Sequence, residues 1–405
     1  MPVPDVSFAQ LRNYHTQNGR ALAPLIPPAH ISFAPQEKKS GLLSKLQTIL
    51  HSWRDTLELD SVSKKFTGKN TVIAILDTGV FDSHPDLAKK VILKMNAHAN
   101  NPTAVHDLDD LHGHGTHVAG LVAARQSTFL KGFQGIAPDA EIVSVKVTLS
   151  DNSTTSWVTI ANGIEKVLDY NAGLQKNEKK VSCILICFNG FDNFNAKDAE
   201  RMAAHRLLDL FRRCYVSGIP VIVPSGNHYF DFCEKHFIEH HYFKLTESEG
   251  LAYPALNKYV ISVGALSNIN YTISDLADFG IPDSPAMRTT VRNRLIADFS
   301  FLQGDLSVIA QRIRQPISIA HDGEKEVMKK PHFILAPGLF TLSTDNVMPV
   351  SLDSPPGIYT TATQVGYSVM SGSCQAAAVV AGTVLLLQQK LRAASLTYHV
   401  SVQKI

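Results

Sequence analysis

Four short motifs put reactive side chains beside tight turns. Asp77-Thr78-Gly79 closes a short apolar run, so its carboxylate stands where a buried strand would meet a turn. Parallel sheets hold their ligand sites outside such strand ends. His112-Gly113-His114-Gly115-Thr116-His117-Val118-Ala119-Gly120 opens a helix with His114 at its N-terminal end. There the positive end of the helix dipole favours a neutral imidazole able to act as a base. Val221-Ile222-Val223-Pro224-Ser225-Gly226-Asn227 ends a second apolar run with an amide that can donate to a developing oxyanion, a contact worth about 3 kcal/mol in acyl transfer. Ser371-Gly372-Ser373-Cys374-Gln375-Ala376-Ala377-Ala378 leads into an apolar helix and sets a thiol at its start. The dipole and free N–H groups at that point stabilise a thiolate or an oxyanion.

Taken singly, each motif has a plainer account. Asp77 reads as a turn or capping carboxylate, Asn227 as a turn residue, and Cys374 as a small core residue. The three histidines from His112 to His117 would suggest a metal, but they lack the glutamate and spacing of the two-histidine zinc helix. His236-Phe237-Ile238-Glu239-His240 does fit the inverted zinc-protease spacing; a histidine-rich surface helix is the blander account. No metal ligand and no cofactor is assigned.

Apolar runs at 71–76, 140–147, 181–188, 220–223 and 259–263 alternate with helical spacing at 116–124, 156–170 and 199–216. This order predicts an α/β fold with a doubly wound, mostly parallel central sheet and helices on both faces. Residues 1–49, which include a Pro-rich run and the start of an amphipathic stretch over 41–53, read as an N-terminal extension. The main domain is expected over 50–405, with surface insertions around 228–250 and 268–330.

Jointly, the order Asp77, His114, Asn227, Cys374 is far more specific than any one motif, and it is the chain order of subtilisin, not of trypsin-like enzymes or α/β-hydrolases. The sequence resembles the subtilase family of peptidases. Phe66 to Val80 followed by Ser83-His84-Pro85-Asp86-Leu87 looks like its aspartate block, His114-Gly115-Thr116-His117-Val118-Ala119-Gly120 matches its histidine block, and Gly372-Ser373-Cys374-Gln375-Ala376-Ala377 lies on its nucleophile block.

The resemblance implies that Asp77 orients His114 and that His114 takes the nucleophile's proton and returns it to the leaving amine. It also implies that Asn227 and the Cys374 backbone N–H bind the oxyanion. Ser153, Thr154, Cys187, Phe188 and Asn189 would wall the substrate cleft, with Ser225 and Gly226 flooring a pocket. The implied partner is an extended polypeptide paired by strand addition. Asp86 resembles one family calcium ligand, but 125–135 lacks the family's asparagine pattern, so no calcium site is expected.

Cys374 stands where the family carries serine. Three origins fit: a natural cysteine enzyme, a silent peptide-binding relative, or a serine enzyme whose nucleophile has been replaced. Sulfur is larger than oxygen and thiolate leaves more readily than amine, so slow acylation of amides is expected.

Of the 405 residues 44% are hydrophobic and 18% charged, enough for a full core and too little charge for disorder. The net charge of +2 is interspersed, which disfavours nucleic acid as a partner. No run approaches the roughly 20 apolar residues of a membrane span, and 1–31 lacks the pattern of a signal peptide. Five scattered cysteines read as reduced thiols. A cytoplasmic protein, or one delivered by a leaderless route, is the expectation.

Overall fold

Strand β1 (Val72–Asp77) forms because five apolar residues precede its aspartate, and all six residues are buried. Alternate side chains leave a strand on opposite faces. Ile73 and Ile75 therefore enter one apolar cluster, and Val72, Ala74 and Leu76 another. The structure, a computed structural model, describes residues 57–98, 108–148, 155–188, 199–227, 254–266, 332–338, 341–345 and 365–394, single positions aside, with Arg54 and short strands at 317–321, 324–328 and 358–360. Residues 1–49, the stretch 41–53, the insertion 228–250 with His236 and His240, and most of 268–330 lie outside the described residues.

In chain order the elements are α1 (Leu59–Ser63), β1, β2 (Val91–Asn96), α2 (His114–Ala123), β3 (Glu141–Lys146), α3 (Trp157–Gly173), β4 (Cys183–Ile186), α4 (Ala199–Val216), β5 (Val221–Pro224), β6 (Ile261–Leu266), β7 (Ile317–His321), β8 (Glu324–Met328), β9 (His332–Pro337), β10 (Thr341–Asp345), β11 (Ile358–Thr360), β12 (Val365–Met370) and α5 (Ser373–Ala393). Seven strands make a parallel sheet in the order β2-β3-β1-β4-β5-β6-β9. Residues from α2 and α5 share a cluster with Ile73, Ile75 and Leu185, whereas residues from α3 and α4 share one with Leu76, Val145 and Ile184. Helices on both faces of a parallel sheet are the doubly wound arrangement the sequence predicts.

The chain builds β2 and β3 on one side of β1 and then crosses to β4 on the other. That reversal places the carboxyl ends of β1 and β4 side by side, where such sheets hold ligands. Several parts of the fold have no counterpart among the apolar runs of the sequence reading, β9 of the main sheet and the β7-β8 pair among them. Strand β2 lies at the sheet edge and is only partly buried. Beside α2 lies an antiparallel sheet, β10-β12-β11. Its hydroxyls bond to the helix backbone: Ser343 Oγ donates to His117 O at 2.7 Å and Thr344 Oγ1 to Thr116 O at 2.8 Å. Strands that use Ser and Thr this way leave no apolar run to read.

Helix α5 is 21 residues long and the one described helix long and apolar enough to cross a membrane, yet it is mostly buried against the sheet as the core helix of this fold. It is also tied down far from its start. Gln389 Oε1 accepts from Thr67 N at 2.7 Å and Gly68 N at 2.8 Å, ahead of β1. Gln388 Oε1 accepts from Ser182 Oγ at 2.7 Å, just before β4.

Candidate active site

The end of β1, the start of α2 and the start of α5 converge. His114 Nδ1 lies 2.8 Å and 3.0 Å from the two Asp77 carboxylate oxygens, and both residues are buried. Gly115 permits this approach: a Cβ there would stand 2.0 Å from Gly79 O and 3.1 Å from the Asp77 Cβ. With Nδ1 turned to Asp77, the ring stands near enough to Cys374 for each to shift the other's pKa. The thiol of Cys374 also lies 3.3 Å from Cys187 O, at the end of β4.

These surroundings act against the neutral imidazole expected from the helix dipole. Burial opposes the His114 cation, but the Asp77 carboxylate and the Cys374 contact outweigh it and hold the group well above the ordinary imidazole range. Cys374 moves the other way, down to about 6: the neighbouring Cys187 side chain favours the thiolate, burial opposes it, and His114 favours it again. Burial and the neighbouring sulfur push Cys187 up, so it stays a thiol. A carboxylate in contact and an adjacent sulfur act more strongly than a fractional dipole charge.

On the other side of Cys374, two donors converge. Asn227 Oδ1 accepts from both Ser373 N and Ser373 Oγ at 2.7 Å. Two donors on one oxygen fix the amide orientation and turn Nδ2 away from Ser373. A Cβ on Gly372 would lie 2.5 Å from Gln375 Oε1, 3.3 Å from that Nδ2 and 3.7 Å from Cys374 N. Glycine at 372 thus makes room for the Gln375 side chain beside a side-chain amide and the N–H at the second position of α5, where the helix itself supplies no acceptor. A strand-end carboxylate on a helix-start histidine, a thiol beside that histidine and two N–H donors near the thiol are the groups that covalent acyl transfer calls for.

The model of the subtilase family matches residues 68–403. The chain belongs to the subtilase family. It is similar to the major intracellular serine protease of Bacillus subtilis (strain 168), 32% identical over 206 residues, which are 51% of this chain and 54% of the relative. It is similar to serine protease AprX of the same organism, 28% identical over 52% of this chain and 41% of the relative. To thermitase of Thermoactinomyces vulgaris it is 40% identical over 26% of this chain and 36% of the relative. These matches span about half or less of each relative.

Of the substrate-lining positions expected for this subtilase, Ser153, Thr154 and Asn189 lie outside the described residues. Cys187 stands beside the sulfur. Phe188 is a correction: its side chain is buried in the cluster shared with α3 and α4, because strand alternation sends it to the opposite face from Cys187. Only its backbone is left to line a cleft. Ser225 is fully buried, and Gly226 N donates to Ser373 Oγ at 3.2 Å, so both support the Asn227 loop.

The sequence reading missed Ser373, which orients Asn227, and Thr78 and Asp110, which join the two loops around Asp77 and His114. Asp110 carried a weak signal, a carboxylate four residues before the helix-start histidine. Asp86 accepts from Tyr367 Oη at 2.6 Å, and that hydroxyl also pairs with Ser127 Oγ at 2.7 Å. A protein hydroxyl thus engages the carboxylate that resembles a calcium ligand. Among the described residues no cluster of His, Cys, Asp and Glu could hold a metal.

Proposed function

We propose that this subtilase is an endopeptidase that cleaves extended polypeptide through Cys374, His114 and Asp77. One observation carries the reading: His114 is held by both Asp77 oxygens while contacting a sulfur drawn toward thiolate. The Cys374 thiolate attacks the scissile carbonyl carbon, and Asn227 Nδ2 and Cys374 N donate to the resulting oxyanion. Protonated His114 gives its Nε2 proton to the leaving amine, and the C–N bond breaks to leave a thioester. Neutral His114 then takes a proton from water as the water attacks. Collapse of the second tetrahedral intermediate expels the thiolate and frees the acid.

This order answers the leaving-group problem. Thiolate departs more readily than an amine anion, so a neutral histidine would let the first intermediate revert. A proton already on His114 makes the departing group a neutral amine. Asp77 supports that charged ring. The likeness to a relative named as intracellular, together with buried free thiols at Cys183, Cys187, Cys214 and Cys374, supports a cytoplasmic setting.

The test compares the unaltered chain, Cys374→Ser and Cys374→Ala on unfolded polypeptide, with iodoacetamide and a fluorophosphonate as probes. The unaltered chain should cleave and lose activity on alkylation, and Cys374→Ala should be silent. If none of the folded proteins cleaves and Cys374→Ser takes no fluorophosphonate, the peptidase reading fails.

A further inference from the structure

Asp110 belongs to no triad, yet its buried carboxylate takes five hydrogen bonds. Oδ1 accepts from Thr78 Oγ1 at 2.9 Å, His112 N at 3.0 Å and Gly113 N at 2.8 Å. Oδ2 accepts from Thr116 N at 2.9 Å and Thr116 Oγ1 at 2.5 Å. The network extends at both ends. Thr78 Oγ1 accepts from Gly115 N at 2.9 Å, and Thr116 Oγ1 from Phe81 N at 2.9 Å. The backbone beneath is held as well, since buried Lys146 at the end of β3 donates to Asp109 O.

The donors are not scattered. Thr78 follows Asp77 in the chain, and Gly113 and Gly115 flank His114. Helix α2 has no side-chain cap at Gly113. Its second and third N–H groups are met instead by Thr78 and Asp110, both from outside the helix. One carboxylate therefore couples the loop carrying the aspartate to the turn carrying the histidine.

We propose that Asp110 is the positioning residue of this centre: it fixes the first turn of α2 against the end of β1 and so sets where the His114 ring stands between Asp77 and Cys374. The inference rests on the Asp77–His114–Cys374 reading above. Acyl transfer tolerates little misplacement, with about 1 Å costing on the order of a hundredfold. Asparagine at 110 would keep one acceptor oxygen but turn an NH2 toward donors that now meet an oxygen, pushing the turn away.

The readout is alkylation of Cys374 by iodoacetamide, followed by mass spectrometry of its own peptide across pH, because it needs no turnover. Titratable groups facing the pair are Asp77 and Cys187, with His112 at 6.4 Å between ring centroids and His117 behind. The unaltered chain should alkylate with an apparent pKa below an ordinary thiol, and His114→Ala should move it up. Asp110→Asn should move it the same way; a rise of about two units from about 6 would leave roughly a tenth of the sulfur as thiolate at pH 7 and slow alkylation about tenfold. Thr78→Val, which breaks the same link from the other side, should do likewise and stands in if Asp110→Asn does not fold.

A folded Asp110→Asn with an unmoved profile overturns the proposal whatever its Tm, as does an unmoved Thr78→Val where it stands in. An unaltered chain whose Cys374 behaves as an ordinary thiol or resists alkylation overturns it too. Polypeptide cleavage by the unaltered chain, measured separately, tests the peptidase reading alone.

Discussion

The electrostatics of Cys374 and His114 set how many protons the pair holds at each pH. Cys374 ionises near 6 and His114 holds its proton well above the usual imidazole range, so the thiolate and the imidazolium coexist between those limits. The rate kcat/KM should rise as pH passes about 6 and fall again only above the ordinary histidine range. In Cys374→Ser the serine needs a neutral base, so its acid limb should sit at higher pH than that of the unaltered chain. Equal acid limbs in the two pH profiles would count against the ion pair. A second expectation concerns Gly372, where a Cβ would press on Gln375 Oε1 at 2.5 Å and stand 3.3 Å from Asn227 Nδ2. Gly372→Ala should lower kcat by roughly 100- to 1,000-fold, the scale of losing an oxyanion donor, with KM little changed; steady-state kinetics on one peptide checks both.

Helix α2 joins the site to the antiparallel sheet through His117, three residues along from His114. His117 Nε2 donates to Thr341 O at 3.0 Å and Ser368 O at 3.2 Å, which fixes a neutral tautomer with Nδ1 unpartnered among the described residues. Burial, with His114 nearby, lowers its pKa from 6.5 to about 4. The folded form therefore binds fewer protons than the unfolded one. Its stabilisation is complete above 6.5 and is lost as pH falls toward about 4. His117→Phe should cost about 1–3 kcal/mol at pH 7 by stranding two carbonyls and should flatten the acid slope, as urea melts at pH 7, 5.5 and 4.5 would show. This layer was the least legible in the sequence. Strand β1 announced itself as a run of five apolar residues, but Thr341–Asp345 carries Ser343 and Thr344 that bond a helix backbone instead of packing on it, and Val365–Met370 carries Tyr367, whose hydroxyl bonds Ser127 and Asp86. Asp77, His114 and Cys374 were legible because their neighbours in the chain are distinctive. Asp110 was not, since its donors come from positions 78 and 112 to 116 and meet only in the fold.

The whole molecule hangs on β1, which contributes to both apolar clusters and ends in Asp77. Helix α5 runs back along that same sheet and is fastened at its far end, where Gln389 holds Thr67 and Gly68 and Gln388 holds Ser182. The strands that lead to Asp77 and Cys187 are thus gripped at their beginnings by the helix that carries Cys374 in its first turn. In an engineer's terms, the sheet and the helix share one datum, and error at that fixture travels along a stiff rod to the sulfur. A slip of one residue along α5 would shift Cys374 by about 1.5 Å and swing it through roughly a quarter turn. Gln389→Ala, at the opposite end of α5 from Cys374, should therefore lower kcat severalfold while KM holds, and an unchanged kcat at unchanged stability would show that the aim of the nucleophile is set locally.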